Sequence, residues 1–237
     1  MAERWEDLQC QGLKILQDDD LYSFTSDAVI LANFVRLKPN ETAVEIGGGS
    51  GVISILLSAK NSFKKIKIFE IQEKMQKICE KNIIFNNLSD KIELICDDVK
   101  NFRKYFEVGS VDVVFSNPPY FEVSKFSQNS VKKVAKEEVC LNLTDLISCA
   151  KNLLKFGGRF YLCYPAGRLQ KLLAEAEKNG LSLKRLFFTE NGKGVINLLV
   201  AEFKKGGGEG VKILPNLVTN SSDGEFLEEL KTRKFLK

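Results

Sequence analysis

Five short apolar runs, Thr42–Ile46, Ile66–Glu70, Ile92–Cys96, Val111–Phe115 and Arg159–Tyr164, are interleaved with helical patterns at Val52–Ala59, Glu73–Asn86 and Leu143–Leu154. Strands joined by crossover helices make a parallel sheet with helices on both faces, and little else. In such a sheet a ligand binds beyond the carboxyl ends of the strands, where the strand order reverses. A further helix at Arg168–Lys178 stops at Gly180, and Gly157-Gly158 is read as the stop of the helix before it. The last two strands, Leu183–Phe188 and Val195–Phe203, have only a short glycine-containing link between them, which predicts an antiparallel pair at an edge.

The 237 residues suit one large α/β unit with small additions. We divide them into residues 1–40, residues 41–205 carrying the sheet, and a tail, 206–237. The first segment offers a hairpin, Leu13–Leu16 with Leu21–Phe24 turning at Asp18-Asp19-Asp20, and then a helix from Asp27 to Val35. It is read as packing on the cofactor site. The tail opens on Gly206-Gly207-Gly208, read as a flexible joint, and Asp223 is positioned to cap a short terminal helix.

Hydrophobic residues make up 44% and charged residues 28%, enough for a core under a wet surface. No run approaches the roughly 20 apolar residues of a membrane helix. The start, Met1 to Asp7, is polar and acidic rather than signal-like. The expectation is a cytoplasmic protein with no membrane partner.

The chain has no histidine, which removes a Ser-His-Asp triad, a Cys-His dyad and a histidine general base. Cys10, Cys79, Cys96, Cys140, Cys149 and Cys163 include no Cys-x-x-Cys pair, so reduced thiols are expected and no metal. A net charge of +4 permits a nucleic-acid partner without requiring one. Lys125, Lys132, Lys133 and Lys136 cluster after the tetrapeptide described below, and basic residues recur at Lys231, Arg233, Lys234 and Lys237.

Glu45-Ile46-Gly47-Gly48-Gly49-Ser50-Gly51 joins a strand to a helix. Such a turn holds a dinucleotide, holds S-adenosylmethionine, or simply turns tightly; the candidate contacts are Gly47, Gly49 and Gly51. No Lys-Ser/Thr follows, so it is not a P-loop. Glu45 is read as a carboxylate at the mouth of the turn, repelling a pyrophosphate and tolerating a sulfonium. Glu70 ends the next strand, where an acid accepts from ribose hydroxyls. Asp97-Asp98 ends the third strand, and one of them, Asp98 by preference, suits an adenine amino group; the competing role is loop capping.

Asn117-Pro118-Pro119-Tyr120 follows the fourth strand directly and is the most specific feature of the sequence. Consecutive prolines stiffen the backbone and fix the direction of its carbonyls. The Asn117 side-chain oxygen and the Pro118 carbonyl accept the two N–H groups of a flat amine, and Tyr120 stacks on its ring. A conjugated amine is a poor nucleophile, and two acceptors on its hydrogens stabilise the positive charge it gains on attack. Asn117, Pro118 and Tyr120 are therefore the candidate catalytic residues, Asn117 also bordering the cofactor. Pro119, Tyr120, Phe121, Lys132 and Lys133 are candidates for substrate binding.

These elements together resemble class I methyltransferases of the branch with an N/D-P-P-Y/F/W motif. A closer similarity is to bacterial tRNA1(Val) (adenine(37)-N6)-methyltransferases. It is carried by Tyr22 to Ala32, Asn117-Pro118-Pro119-Tyr120-Phe121, Gly157-Gly158-Arg159, Arg168-Leu169 and Lys212-Ile213-Leu214-Pro215. The resemblance implies a Rossmann-like, seven-stranded, mostly parallel sheet with helices on both faces and an antiparallel last strand. It implies that Phe24, Thr25 and Asp27 sit near S-adenosylmethionine, and that the target adenine of an RNA, a tRNA by preference, is turned out of its stack. The sequence departs from the family pattern at Glu45, where Asp is commoner, and at Lys136-Glu137-Glu138, where the family has Arg-His-Glu.

Two other substrates share the tetrapeptide chemistry, a release-factor glutamine amide and a DNA adenine. A non-catalytic RNA-binding protein on the same fold is the alternative of another class. The oligomeric state is left open, with the monomer favoured.

Overall fold

The computed structural model describes residues 3–18, 21, 24–118 and 141–219. A two-stranded sheet of β1 (Glu3–Asp7) and β2 (Lys14–Asp18) precedes α1 (Ser26–Phe34). The main sheet then begins with β3 (Thr42–Ile46), α2 (Val52–Lys60), β4 (Lys65–Phe69), α3 (Glu73–Phe85) and β5 (Ile92–Ile95). A 3-10 turn, Val99–Lys104, leads to β6 (Val111–Ser116). After it come α4 (Leu143–Leu153), β7 (Leu154–Pro165), α5 (Leu169–Lys178), β8 (Leu181–Asn191) and β9 (Ile196–Lys205), then the short strands β10 (Lys212–Ile213) and β11 (Leu217–Thr219).

The strands run β10-β8-β9-β7-β6-β3-β4-β5 across one sheet, with β11 also on β8. From β3 the chain moves outward through β4 and β5, then returns to β6 on the other side. The order therefore reverses between β3 and β6, the place where open α/β sheets bind ligands. The seven longer strands form the expected sheet, and β9 is the one antiparallel to its neighbours β7 and β8. Its strand pair is not a bare edge, because β10 and β11 pair in parallel with the outer side of β8.

Alternation along a strand sends successive side chains to opposite faces. One core packs α1, α2 and α3 on the face that includes Ala43, Val113 and Phe115. The other packs the 3-10 turn, α4 and α5 on the face that includes Val44, Ile46 and Val114. Central parallel strands are buried on both faces, which is why these runs read as nearly continuous apolar sequence.

Three local expectations are corrected. The N-terminal hairpin pairs β2 with the preceding β1, Trp5 opposite Leu16, where the sequence predicts the following segment; of that segment, Tyr22 and Ser23 lie outside the described residues. Its turn uses left-handed backbone at Gln9 and Gln11, conformations that are uncommon outside glycine and so gave no signal. Gly157-Gly158 does not stop α4, which ends at Leu153 and passes directly into β7. The two glycines instead lie where β7 shifts register against β6, and a Cβ on Gly158 would stand 2.9 Å from the Lys155 carbonyl oxygen. The start of the tail is held by hydrogen bonds: Gly206 N–H donates to Gly180 O, Ser182 Oγ to Gly207 O, and Lys184 Nζ to the carbonyls of Gly208, Glu209 and Gly210. Beyond it, Leu214 and Leu217 are buried. The proposed cap at Asp223 lies outside the described residues. Among the described residues no helix is long and apolar enough to cross a membrane.

Candidate active site

Register builds the site. Ile46 at the end of β3 is level with Phe69 of β4 on one side and Ser116 of β6 on the other. The next residue on each strand is Gly47, Glu70 and Asn117, so these three stand in one row at the open end of the sheet, neighbouring strands being about 4.8 Å apart. The Ser116 hydroxyl donates to the Ile46 carbonyl at 2.8 Å and binds the two strand ends together. Asn117 is half-buried and Pro118 buried.

The glycine turn closes over β4. Gly47 and Gly48 N–H both donate to the Phe69 carbonyl oxygen, at 2.9 and 3.1 Å. A Cβ on Gly48 would lie 2.1 Å from Ile68 Cγ2, so only glycine fits there. Gly47 has φ of +71° with nothing within 4 Å of a built Cβ, so the outer side of the turn is open backbone that a ligand can approach.

Glu70 is 5% exposed. One of its carboxyl oxygens accepts Gly49 N–H and the other accepts Gln72 N–H, each at 2.8 Å. Burial pushes this carboxyl upward in pKa, against those hydrogen bonds. A carboxylate has about four lone-pair sites, and the backbone N–H groups of Gly49, Gln72 and Ile71 all act on this one, so its capacity to accept from a ligand hydroxyl is partly used. Ile71, 44% exposed, sets an apolar side chain beside it. Open backbone, a bidentate acceptor and an apolar platform at one strand end fit an adenosine-type ligand.

Glu45 is corrected. Its position alternates with Val44 and Ile46, so its side chain enters the sheet face covered by α2 and its carboxyl lies buried beneath the turn, 3.5 Å from a Cβ built on Gly48, and not exposed at the mouth. It is 1% exposed, accepts the Ser54 hydroxyl, and burial raises its pKa to about 8. Burial there disfavours the charged form, which weakens the charge selection expected of this carboxyl.

Asp97 accepts from Asn101 Nδ2, Asp98 N–H, Lys104 Nζ and Tyr105 OH at 2.7–3.0 Å, which fills the roughly four lone-pair sites of a carboxylate. The hydrogen bonds from Asn101, Lys104 and Tyr105 hold it well below the usual carboxylate range. Asp98 accepts Lys100 N–H at 2.9 Å and pairs with Lys100 Nζ at 3.2 Å, so it caps the 3-10 turn. Of the two, Asp98 keeps acceptor capacity.

Phe24, Thr25 and Asp27 lead into α1, which packs on α2, the helix opened by the glycine turn. Phe24 N–H donates to Gln17 Oε1 at 3.1 Å, and the Thr25 hydroxyl donates to Asp27 at 3.0 Å. Burial raises the pKa of the Asp27 carboxyl. Pro119, Tyr120, Phe121, Lys132 and Lys133 lie outside the described residues, as do Lys125 and Lys136-Glu137-Glu138.

The methyltransferase small domain family matches residues 24–168, from the start of α1 to the turn after β7. The chain belongs to this family. Among its relatives is the tRNA1(Val) (adenine(37)-N6)-methyltransferase of Dyadobacter fermentans, 24% identical over 212 residues that cover 89% of this chain and 87% of the relative. Among solved structures, a protein described as a predicted O-methyltransferase from Agrobacterium tumefaciens superposes with a TM-score of 0.69 at 15% identity, over 87% of this chain and 95% of that one. A geranyl diphosphate C-methyltransferase from Streptomyces coelicolor A3(2), in complex with S-adenosyl-L-homocysteine, gives 0.55 at 12% identity, over 76% and 75%. At those identities the likeness is one of fold.

Within this methyltransferase domain, several residues were not marked by the sequence. Ser54 and Ser116 are small polar residues in apolar runs, meaningful only through their partners. Ile71 had a usable signal, an apolar residue directly after an acid at a strand end. Asn82, on the third turn of α3, touches the glycine turn from behind. Among the described residues no group of three or more His, Cys, Asp or Glu is placed to hold a metal.

Proposed function

We propose that this chain transfers a methyl group from S-adenosylmethionine to the exocyclic N6 amine of an adenine in RNA, with tRNA as the substrate. The row Glu70–Gly47–Asn117 supports the reading, because the three residues proposed as ribose acceptor, open backbone and amine acceptor follow paired strand ends at the switch point of the sheet. The name of the Dyadobacter relative, which this chain matches over most of both lengths, supports tRNA adenine over a protein glutamine or DNA. A tRNA substrate also puts the reaction in the cytoplasm.

When bound, the cofactor supplies an electrophilic methyl on a sulfonium, which departs as a neutral thioether. Glu70 accepts from the ribose hydroxyls, Ile71 packs on the adenine ring of the cofactor, and Asp98 accepts from its amino group. At the reacting end, Asn117 Oδ1 and the Pro118 carbonyl accept the two N–H groups of the target amine. That pairing would orient the amine for attack, and the two acceptors would stabilise the positive charge developing on its nitrogen during methyl transfer. The methylated nitrogen then sheds one proton. Losing that proton to water restores conjugation of the nitrogen with the ring, so the step would need no histidine base, consistent with a chain that has none. In this reading Tyr120 would stack on the flipped base, Pro119 and Phe121 would add substrate contacts, and Lys132 and Lys133 would bind phosphates.

The test is nucleoside mass spectrometry of tRNA from cells with and without the gene, paired with the purified protein acting on unmodified tRNA. N6-methyladenosine that depends on the gene and is restored in vitro is expected. N5-methylglutamine in a release factor, or methylated DNA with unchanged tRNA, would overturn the substrate assignment.

A further inference from the structure

Asn82 has no exposed surface, yet its side chain joins three parts of the molecule. Nδ2 donates to the Ser50 carbonyl in the glycine turn at 3.0 Å and to the Leu16 carbonyl in β2 at 3.3 Å. Oδ1 accepts Leu16 N–H at 2.6 Å. One helical turn later Asn86 repeats the pattern at the surface, accepting Lys14 N–H at 3.0 Å and donating to Lys14 O at 2.8 Å.

The spacing explains the fit. Four residues of helix rise about 6.0 Å, and two residues of strand about 6.8 Å. Asparagines four apart, Asn82 within α3 and Asn86 at its C-cap, therefore meet alternate residues on one edge of β2. They satisfy the backbone groups that a neighbouring strand would otherwise pair, β1 lying on the opposite edge. From Leu16 the connection runs through Gln17, whose Oε1 accepts Phe24 N–H, to the start of α1.

Ser50 stands between Gly49, whose N–H engages Glu70, and Gly51, the left-handed residue that opens α2. We infer that Asn82 is a positioning residue through which the N-terminal hairpin holds the glycine turn in its ligand-binding shape. The inference rests on the reading that S-adenosylmethionine binds that turn. Asn86 pins the same hairpin without touching the turn, which separates hairpin docking from turn positioning.

The test compares calorimetric binding of S-adenosylhomocysteine by the full-length wild type, Asn82→Ala and Asn86→Ala, with steady-state kinetics on tRNA. Asn82→Ala is expected to weaken binding roughly ten- to a hundredfold, the consequence of leaving buried partners unpaired. Its KM for S-adenosylmethionine should rise while kcat stays within about threefold, and Asn86→Ala should bind within about threefold of wild type. Equal binding by wild type and Asn82→Ala, or equal weakening by both variants, overturns the inference. No binding by the wild type overturns the cofactor reading instead. If Asn82→Ala does not fold, hydrogen exchange of the wild type decides. Protection by S-adenosylhomocysteine that extends to residues 14–18 supports the coupling, and protection confined to the glycine turn and Glu70 refutes it.

Discussion

Gly49 N–H donates to the Glu70 carboxylate at 2.8 Å, so the residue assigned to the cofactor ribose also holds the turn that receives the cofactor. Glu70→Ala should accordingly damage two things at once. S-adenosylhomocysteine binding is expected to weaken at least tenfold, and the ligand-free melting temperature should fall because two backbone N–H groups lose their acceptor. Calorimetry and thermal melts check both; binding unchanged within twofold would remove Glu70 from the site.

The Glu45 carboxyl, raised by burial to about 8, makes the ligand-free fold sensitive to pH. Its ordinary value is 4.5, so between about pH 4.5 and 8 the folded state holds a proton that the unfolded state has released. The stability this contributes is complete below pH 4.5 and is lost as pH rises through about 8, by no more than about 1.4 kcal/mol per pH unit for one proton. Glu70, also raised by burial, acts in the same sense. Urea denaturation of wild type and Glu45→Gln from pH 5 to 8.5 should show a shallower decline in the variant. Parallel curves would show that Glu45 does not titrate in this window.

Neighbouring glycines should fail differently. Gly48→Ala brings a methyl within 2.1 Å of Ile68 Cγ2 and should destabilise the fold by about 1–3 kcal/mol, as overpacking does. Gly47→Ala meets no atom but sits at φ +71°, a strain of about 1–2 kcal/mol, and its methyl projects into the open space proposed for the ligand. It should therefore lose more affinity for S-adenosylhomocysteine than Gly48→Ala loses per unit of stability. Denaturation and calorimetry on both variants test the contrast.

Asn117→Ala should lower kcat by about 10²–10³, the usual effect of removing a side chain that stabilises developing charge. Affinity for S-adenosylhomocysteine should stay within about threefold, since Glu70 and the glycine turn are untouched. Turnover near the wild-type value in a single-turnover assay would remove Asn117 from the mechanism.

The sheet was legible in the sequence because parallel strands buried on both faces must be apolar throughout, and helices between them must carry an apolar stripe. The positions of Gly47, Glu70 and Asn117, though not their roles, could be read for a related reason: each stands directly after such a run, at a strand end. Apolar pattern did not report backbone geometry or partner choice. The hairpin of β1 and β2 turns through left-handed glutamines, and β10 and β11 are too short to leave a period. The notation of a strand also hides which face a side chain takes. Glu45 reads as a charge beside a glycine turn, and only pairing with β4 and β6 under α2 makes it a buried acid whose pKa burial raises. Asn82 and Asn86 are plain polar residues of a helix until β2 lies against them. The sequence by itself determined the strand–helix alternation and the residues at the strand ends, because those follow from local periodicity. Tertiary structure alone decided the row in which those ends meet and the amide that ties the hairpin to the turn, because register and buried hydrogen bonds join residues far apart in the chain.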